Sequence, residues 1–334
     1  MIRRAAKKMV LQLPAMRRII RQRDEAMARV TQLESRPRIS SSSCPANETG
    51  ASYILLSGTE YSHYAMPLDY LPSRALRPRW GETHPMIASL AQWMGGYDDD
   101  YRIVLEQMQA RAPRLAVIPP DFDRHCLEPA WLGVPFCPFD SAALYTLVGH
   151  YKPRIYLEIG SGITTAFAHR SIRDHGLGTR IVSIDPQPRA AIDALCDDVI
   201  RDGLETCDLT LFDALEPGDI VFLDGSHRVF MNSDVTVFMI DVLPRLKPGV
   251  IVHVHDITLP WDYPDMFVNW YWSEAYILAA YLIAARDRVK PILPTAWVCR
   301  MPQFATWFDK PPVDLGQFND AWRGGGSMWF THIR

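Results

Sequence analysis

Closely spaced cysteines are missing from this chain. Its six cysteines (Cys44, Cys126, Cys137, Cys196, Cys207 and Cys299) form no C-x-x-C pair and no zinc-finger spacing. That excludes a disulfide-stapled scaffold and fits unpaired thiols in a reducing, cytoplasmic compartment. A long apolar run is missing too. The longest, AYILAAYLIAA at 275–285, is closed off by Glu274 and Arg286 and falls well short of the ~20 residues that span a bilayer, so it reads as a buried helix. The amino terminus has no clean apolar core followed by a small-residue cleavage site, because Pro14 and Arg17–Arg18 interrupt it; no secretion signal is expected. Nor is there a large excess of either charge. The net charge is −3 over 334 residues, with 48% hydrophobic and 22% charged residues, values that exclude a wholly disordered or collagen-like chain.

The small total conceals an uneven distribution. Residues 1–40 hold eleven Lys and Arg against Asp24, Glu25 and Glu34, a net of +8, so the remainder carries −11. The body therefore does not attract nucleic acid by its overall charge. Within 1–35, basic and apolar positions alternate at roughly helical spacing (Met9, Val10, Leu13, Met16, Ile19, Ile20, Met27, Val30 and Leu33). Three readings stay open for it: a peripheral anchor on the inner membrane surface, a self-associating helix, or a solvated tail. The serine-rich stretch 36–50 is a linker by composition. The chain accordingly divides into a basic helix with linker (1–50), a cap or lid region rich in proline and aromatics with helices near 85–95 and 99–112 (51–139), and a third region (140–334).

That third region alternates helix and strand. A helix at 140–151 precedes RIYLEI (154–159); another starts near 164, followed by RIVSID (180–185) and a helix near 188–196. DIVFLD (219–224) leads to a helix at 231–246, GVIVHVHD (249–256) to one at 272–286, and SMWFTHI (327–333) follows a GGG turn at 324–326. Near-continuous Ile/Val/Leu strands separated by helices predict a doubly wound α/β domain with a mostly parallel sheet. The turn before the last strand predicts an antiparallel hairpin at the sheet edge.

One segment carries chemistry. In YLEIGSGITTAF (156–167) a strand runs into Gly160-Ser161-Gly162 and a helix opens at Thr164–Thr165, while the next strand ends in Asp185. Glycines allow a tight turn and close ligand approach, and the helix start offers free N–H groups. A carboxylate at the end of the second strand is placed to accept hydrogen bonds from ribose hydroxyls. Thr165 stands where a dinucleotide site wants its third glycine, and Glu158 precedes the turn. An acidic neighbour suits a cationic ligand such as S-adenosylmethionine better than a pyrophosphate.

Together with LDGSH (223–227) and HVHDI (253–257), these motifs resemble the class I S-adenosylmethionine-dependent methyltransferases, in particular a bacterial group whose fourth strand ends in Asp-Gly-x-His and whose fifth ends in His-Asp. The resemblance covers 140–334 and implies a Rossmann-like seven-stranded sheet with an antiparallel last strand. It places Glu158, Gly160, Ser161, Gly162 and Thr165 in the cofactor loop, Asp185 at the ribose, and Asp224 between the methionine end and the acceptor. The adenine contact is not marked by any crisp pattern in 197–209; Asp202 is the candidate there. Some members hold Mg²⁺ with carboxylates at the positions of Asp224 and Asp256, but Ile257 stands where catechol-type enzymes have Asn.

His227, three residues beyond Asp224, is the first choice for a base, with Asp224 and His255 beside it as further catalytic candidates, since imidazole titrates near neutral pH. His253 shares the face of His255. The aromatic segment 259–278 (Trp261, Tyr263, Phe267, Trp270, Tyr271, Trp272 and Tyr276) reads partly as core packing and partly as a wall for a small-molecule or glycan acceptor. Two rivals stand. An NAD(P)-dependent oxidoreductase would want the third glycine and a Tyr/Lys pair, and 225–247 contains Lys247 but no tyrosine. A non-catalytic module keeping the fold for binding is the other.

Overall fold

The computed structural model describes residues 52–54, 66–68 and 77–333, apart from 82–83, 124 and 189–190. The basic amino-terminal helix and the linker expected before residue 51 lie outside the described residues. The chain divides into two compact units, Met1–Ala75 and Leu76–Arg334. In the first, β1 (Ser52–Ile54) and β2 (Met66–Leu68) pair antiparallel.

The second unit is built on a seven-stranded sheet. Its strands are β3 (Ile155–Ile159), β4 (Arg180–Ile184), β5 (Asp198–Ile200), β6 (Ile220–Leu223), β7 (Ile251–Val254), β8 (Val289–Pro294) and β9 (Met328–His332). They lie in the order β5-β4-β3-β6-β7-β9-β8, and only β9 runs antiparallel to its neighbours. Every residue of β6 and β7 is buried, because helices cover both faces of a parallel sheet. The order reverses between β3, which continues to β4, and β6 on its other side. Loops leaving the carboxyl ends of β3 and β6 consequently diverge and open a crevice, the usual binding place of such sheets.

Five longer helices pack around it: α1 (Ala88–Gly95), α2 (Asp98–Ala110), α3 (Pro138–Tyr151), α4 (Ile163–His175) and α5 (Glu274–Ala285). α3 is buried on all sides from Pro138 to Gly149, the behaviour of a helix with no polar face; it packs on α4 and α2. α1 and α2 turn Leu90, Met94, Tyr101, Leu105 and Met108 into the common core. None of the described helices is long and apolar enough to cross a membrane.

Two local expectations need correction. Among the described residues of 188–196 there is a single 3-10 turn, at Asp193–Leu195, in place of a regular helix. The sequence reading passed over β5, a three-residue strand of half-exposed side chains at the sheet edge. The antiparallel hairpin expected at the sheet edge is there, formed by β8 and β9 with β8 outermost. β9 inserts between β7 and β8, and the reason is its burial: Met328, Trp329 and Phe330 are inaccessible and need neighbours on both sides. The helix expected at 231–246 is also irregular, passing from α (Asp234–Val237) through a π turn (Phe238–Val242) to a 3-10 turn at Leu243–Arg245.

Asp219 pins the entry to the sheet. Its buried carboxylate accepts from the backbone N–H of Arg154 and Ile155 (both 2.8 Å) and of Glu216 (2.9 Å), and from the Arg154 guanidinium (2.9 Å). Asp219→Ala orphans these donors and should lower the unfolding free energy by about 2–4 kcal/mol in urea titration. A loss below about 0.5 kcal/mol would show that the pin is dispensable.

Candidate functional site

The turn after β3 is shaped by one contact. Gly160 has φ +80°, and a Cβ there would sit 1.9 Å from the carbonyl oxygen of Asp224. No other residue fits, because both the backbone conformation and the approach of the β6 terminus forbid a side chain. The Gly160 N–H donates to Ile184 O (3.0 Å) and the Asp224 N–H to Ile159 O (2.9 Å), so the ends of β3, β4 and β6 are tied at one level. Gly162 differs: a Cβ there would meet nothing within 4 Å, leaving open space over the turn.

Two carboxylates organise this loop. Asp185 accepts from the Ser161 N–H (2.8 Å) and hydroxyl (2.9 Å) through one oxygen and from the Gln187 N–H (2.8 Å) through the other. Glu158 is fully buried and accepts from the Thr165 hydroxyl (2.6 Å), which in turn accepts from the Gly162 N–H (3.1 Å). The second Glu158 oxygen has no hydrogen-bond partner. Burial pushes the Glu158 carboxyl up to about 8, although the Thr165 hydrogen bond pulls the other way. A cation placed against that free oxygen would restore the charged form.

Across the crevice, Asp224 and Asp256 lie between two histidines. His227 Nε2 is 3.6 Å from Asp224 and 3.5 Å from Asp256. His255 Nδ1 is 3.5 Å from Asp224 and 3.7 Å from Asp256. Each imidazole has a buried carboxylate behind it. Glu274, fully inaccessible, is 3.0 Å from His227 Nδ1, and Asp140 lies 3.7 Å from His255 Nε2. Burial opposes charge on both rings, yet the surrounding carboxylates outweigh it: the His227 pKa is raised, and that of His255 lies well above the ordinary value. Burial likewise pushes Glu274 up to about 7, against the pull of His227.

Local structure explains the placement. The loop after β6 is held by Asp234, which accepts from the Ser226 N–H (2.7 Å) and hydroxyl. A Cβ on Gly225 would sit 2.1 Å from that carboxylate. His227 adopts φ +60° and Asp256 φ +54°. The His227 carbonyl accepts from the N–H groups of Ser273 and Glu274 at the start of α5 (2.8 and 3.2 Å), so backbone and side chain clamp the same pair. Asp140, in the first turn of α3, accepts from Thr295 (2.6 Å), the Cys137 thiol (3.1 Å) and the Gly326 N–H (2.9 Å). The GGG turn thus secures the carboxylate behind His255.

All the expected loop residues (Glu158, Gly160, Ser161, Gly162, Thr165 and Asp185) gather around the turn, and Asp224, His227, His255 and Asp256 form the opposite wall. Thr165 is wholly buried, and its hydroxyl serves Glu158 and Gly162. His253 stands apart from the wall, stacked between Phe222 and Trp329 (ring centroids 4.3 and 3.8 Å) with Nε2 on the Ser327 hydroxyl at 2.8 Å; burial holds its pKa well below the ordinary value, and its role is packing. Asp202 accepts from the Thr206 hydroxyl in an exposed turn. Sequence reasoning missed Asp140 and Glu274, which belong to no motif; an acidic residue heading the apolar run 274–285 was the one visible signal.

The two glycines should respond differently to the same change. Gly160→Ala is expected to lower stability by more than about 2 kcal/mol, whereas Gly162→Ala should stay within about 1 kcal/mol, both read from denaturant midpoints. Equal effects would show that the Asp224 contact does not constrain the turn.

Residues 157–257 match a family model described as "Methyltransferase domain". No curated protein matches the chain. Among solved structures, the chain is similar to the S-adenosylhomocysteine-bound methyltransferase PaMTH1 of Podospora anserina (14% identity, 76% of this chain and 100% of that one, TM-score 0.36). It is also similar to an O-methyltransferase from Bacillus cereus in complex with S-adenosylhomocysteine (18%, 69% and 90%, TM-score 0.36) and to the plantazolicin methyltransferase BpumL (12%, 59% and 86%, TM-score 0.36). The strand order, not these likenesses, carries the fold. The matched segment opens within β3 and closes just past β7, taking in the glycine turn and the strand-end carboxylates Asp185, Asp224 and Asp256, so it is this central part of the sheet that is similar to a methyltransferase domain.

Proposed function

We propose that the protein transfers a methyl group from S-adenosylmethionine to a hydroxyl group of a small molecule or glycan. The observation that carries this reading is the contact of the Gly160 turn with the Asp224 carbonyl, which sets a cofactor loop directly against a wall of paired carboxylates and imidazoles. When bound, the cofactor supplies an electrophilic methyl on a sulfonium, a good leaving group. Three features support it: one buried Glu158 oxygen has no partner, Gly162 leaves room over the turn, and Asp185 holds the loop at the end of β4, where a carboxylate suits a ribose diol.

On the other side, Asp224 lies between loop and wall, while His227 and His255 present ring nitrogens beside it. These groups orient an acceptor hydroxyl, and its alignment in line with the sulfonium contributes much of the acceleration. The aromatic segment supports an acceptor with a flat or sugar-like face. Trp272 lies against His227 (centroids 4.0 Å) and Phe267 stacks on Trp272 (4.0 Å, 27° between planes), and exposed Trp270 extends the same ladder outward. Tyr263 is buried and belongs to the core.

Calorimetry tests the reading. S-adenosylhomocysteine should bind in the micromolar range and NADH should not; the reverse would favour an oxidoreductase. Asp185→Ala should weaken S-adenosylhomocysteine by about 1–3 kcal/mol, typical of lost charged hydrogen bonds. Glu158 adds a pH signature. Its carboxyl is neutral below about 8 in the free protein, and a cationic ligand favours the anion, so affinity should fall as pH drops from 8 to 6. In Glu158→Gln that slope should vanish; a slope unchanged by the substitution would remove Glu158 from the ligand's charge recognition.

A further inference from the structure

Mg²⁺ is the ion that the resemblance suggests, on oxygen ligands at Asp224 and Asp256. It demands near-octahedral oxygen coordination and keeps several waters, and Ile257 offers no side-chain donor where the third oxygen would be. A nitrogen fills that role. One carboxylate oxygen each of Asp224 and Asp256 and one ring nitrogen of His227 lie within 4.8 Å of one another. This set does not fit an oxygen-only Mg²⁺ site.

We propose that Asp224, His227 and Asp256 bind a borderline divalent transition-metal ion, such as Zn²⁺ or Fe²⁺, in preference to Mg²⁺. Imidazole selects those ions, whereas carboxylate and water alone suit Mg²⁺. The spacing agrees. The separations of His227 Nε2 from the two carboxylates, 3.6 and 3.5 Å, exceed a good hydrogen bond. They come close to the edge of a tetrahedron with metal–ligand bonds of about 2.0–2.2 Å, roughly 3.4 Å. The carboxylates and the imidazole are held apart at the distance an ion would set.

Two further observations point to the same place. Glu274 holds His227 Nδ1 at 3.0 Å in full burial, which orients Nε2 toward the carboxylates. A carboxylate behind a ligating histidine is the usual outer support of such sites. From the other side comes His255, whose side chain is 7% exposed and whose Nδ1 has no hydrogen-bond partner. That nitrogen is directed at the same two carboxylates, at 3.5 and 3.7 Å. It is a buried nitrogen available as a fourth ligand once an ion displaces its proton.

Charge favours a cation as well. The charged neighbours of Asp256 are His255, Asp224, His227 and Asp140, so carboxylates crowd a half-buried pocket whose only basic groups in that set are imidazoles. A divalent ion would relieve the repulsion between Asp224 and Asp256 directly. The placement of the ion at the acceptor end rests on the methyl-transfer reading; the ion site itself does not.

The test uses the full-length protein stripped with EDTA. Zn²⁺ and Mg²⁺ are titrated separately by calorimetry, and Co²⁺ is titrated with its visible absorption recorded. Zn²⁺ should bind at one equivalent per chain at least about 100-fold more tightly than Mg²⁺, and Co²⁺ should give a d–d band perturbed by nitrogen ligation. His227→Asn should weaken Zn²⁺ by 30-fold or more, and Glu274→Gln, which keeps a polar group behind the ring, by about 10–100-fold. Circular dichroism and thermal melts confirm that each variant is folded. Mg²⁺ binding as tightly as Zn²⁺, Zn²⁺ affinity unaffected by His227→Asn, or a folded protein binding no ion would each overturn the proposal. S-adenosylhomocysteine titrated in parallel separates the two claims: its binding without an ion sinks this inference alone, and ion binding without it sinks the methyl-transfer reading alone.

Discussion

Among the described glycines the tightest constraint is the approach of the Asp224 carbonyl to Gly160. With only 1.9 Å between that oxygen and the place of a Cβ, the turn after β3 and the terminus of β6 behave as one piece. This is where the strand order reverses, so the crevice opens at a fixed width. Asp185 holds the loop from the β4 side through Ser161, and Asp224 then projects from the point where loop and wall meet. Everything placed on either side of the crevice inherits its position from this contact.

The opposite wall is an electrostatic compromise. Four carboxylates (Asp140, Asp224, Asp256 and Glu274) surround His227 and His255. Burial disfavours charge on Asp140, Asp256, Glu274 and both rings, yet each ring is stabilised in its charged form by its neighbours. Such an arrangement persists because the carboxylates are tied elsewhere: Asp140 by Thr295, Cys137 and Gly326, and Glu274 by the clamp between His227 and the start of α5. Left-handed backbone at His227 and Asp256 costs about 1–3 kcal/mol at each residue and is kept where both side chains must face inward.

The elements of the sheet were legible in the sequence wherever burial forces a continuous apolar run. β3, β4, β6 and β7 fall within a residue or two of their expected limits, and α5 follows the apolar stretch 275–285. β5 was not legible, because a short edge strand such as Asp198–Ile200 buries too little to leave a pattern. The irregular helix at 234–245 and the 3-10 turn at 193–195 were expected as regular helices; Pro244 falls inside the first of them, where its ring and missing N–H interrupt the α-helical pattern. The insertion of β9 between β7 and β8 is a matter of pairing partners, which a strand's own composition does not state.

For the site, local sequence alone determined the loop: Glu158, Gly160, Ser161, Gly162 and Asp185 are set by a strand, a turn and a helix that are contiguous in the chain or one strand apart. Their roles follow from backbone geometry within a few residues, which a motif records. The wall depended on the tertiary structure. Asp140 comes from α3, Glu274 from α5 and Gly326 from the last turn; Glu274 lies 47 residues beyond His227, and Asp140 is 186 residues before Gly326. Only packing of these elements against the carboxyl ends of β6 and β7 brings the buried carboxylates behind His227 and His255, because burial and electrostatic pairing act through space and leave no spacing in the sequence to be read.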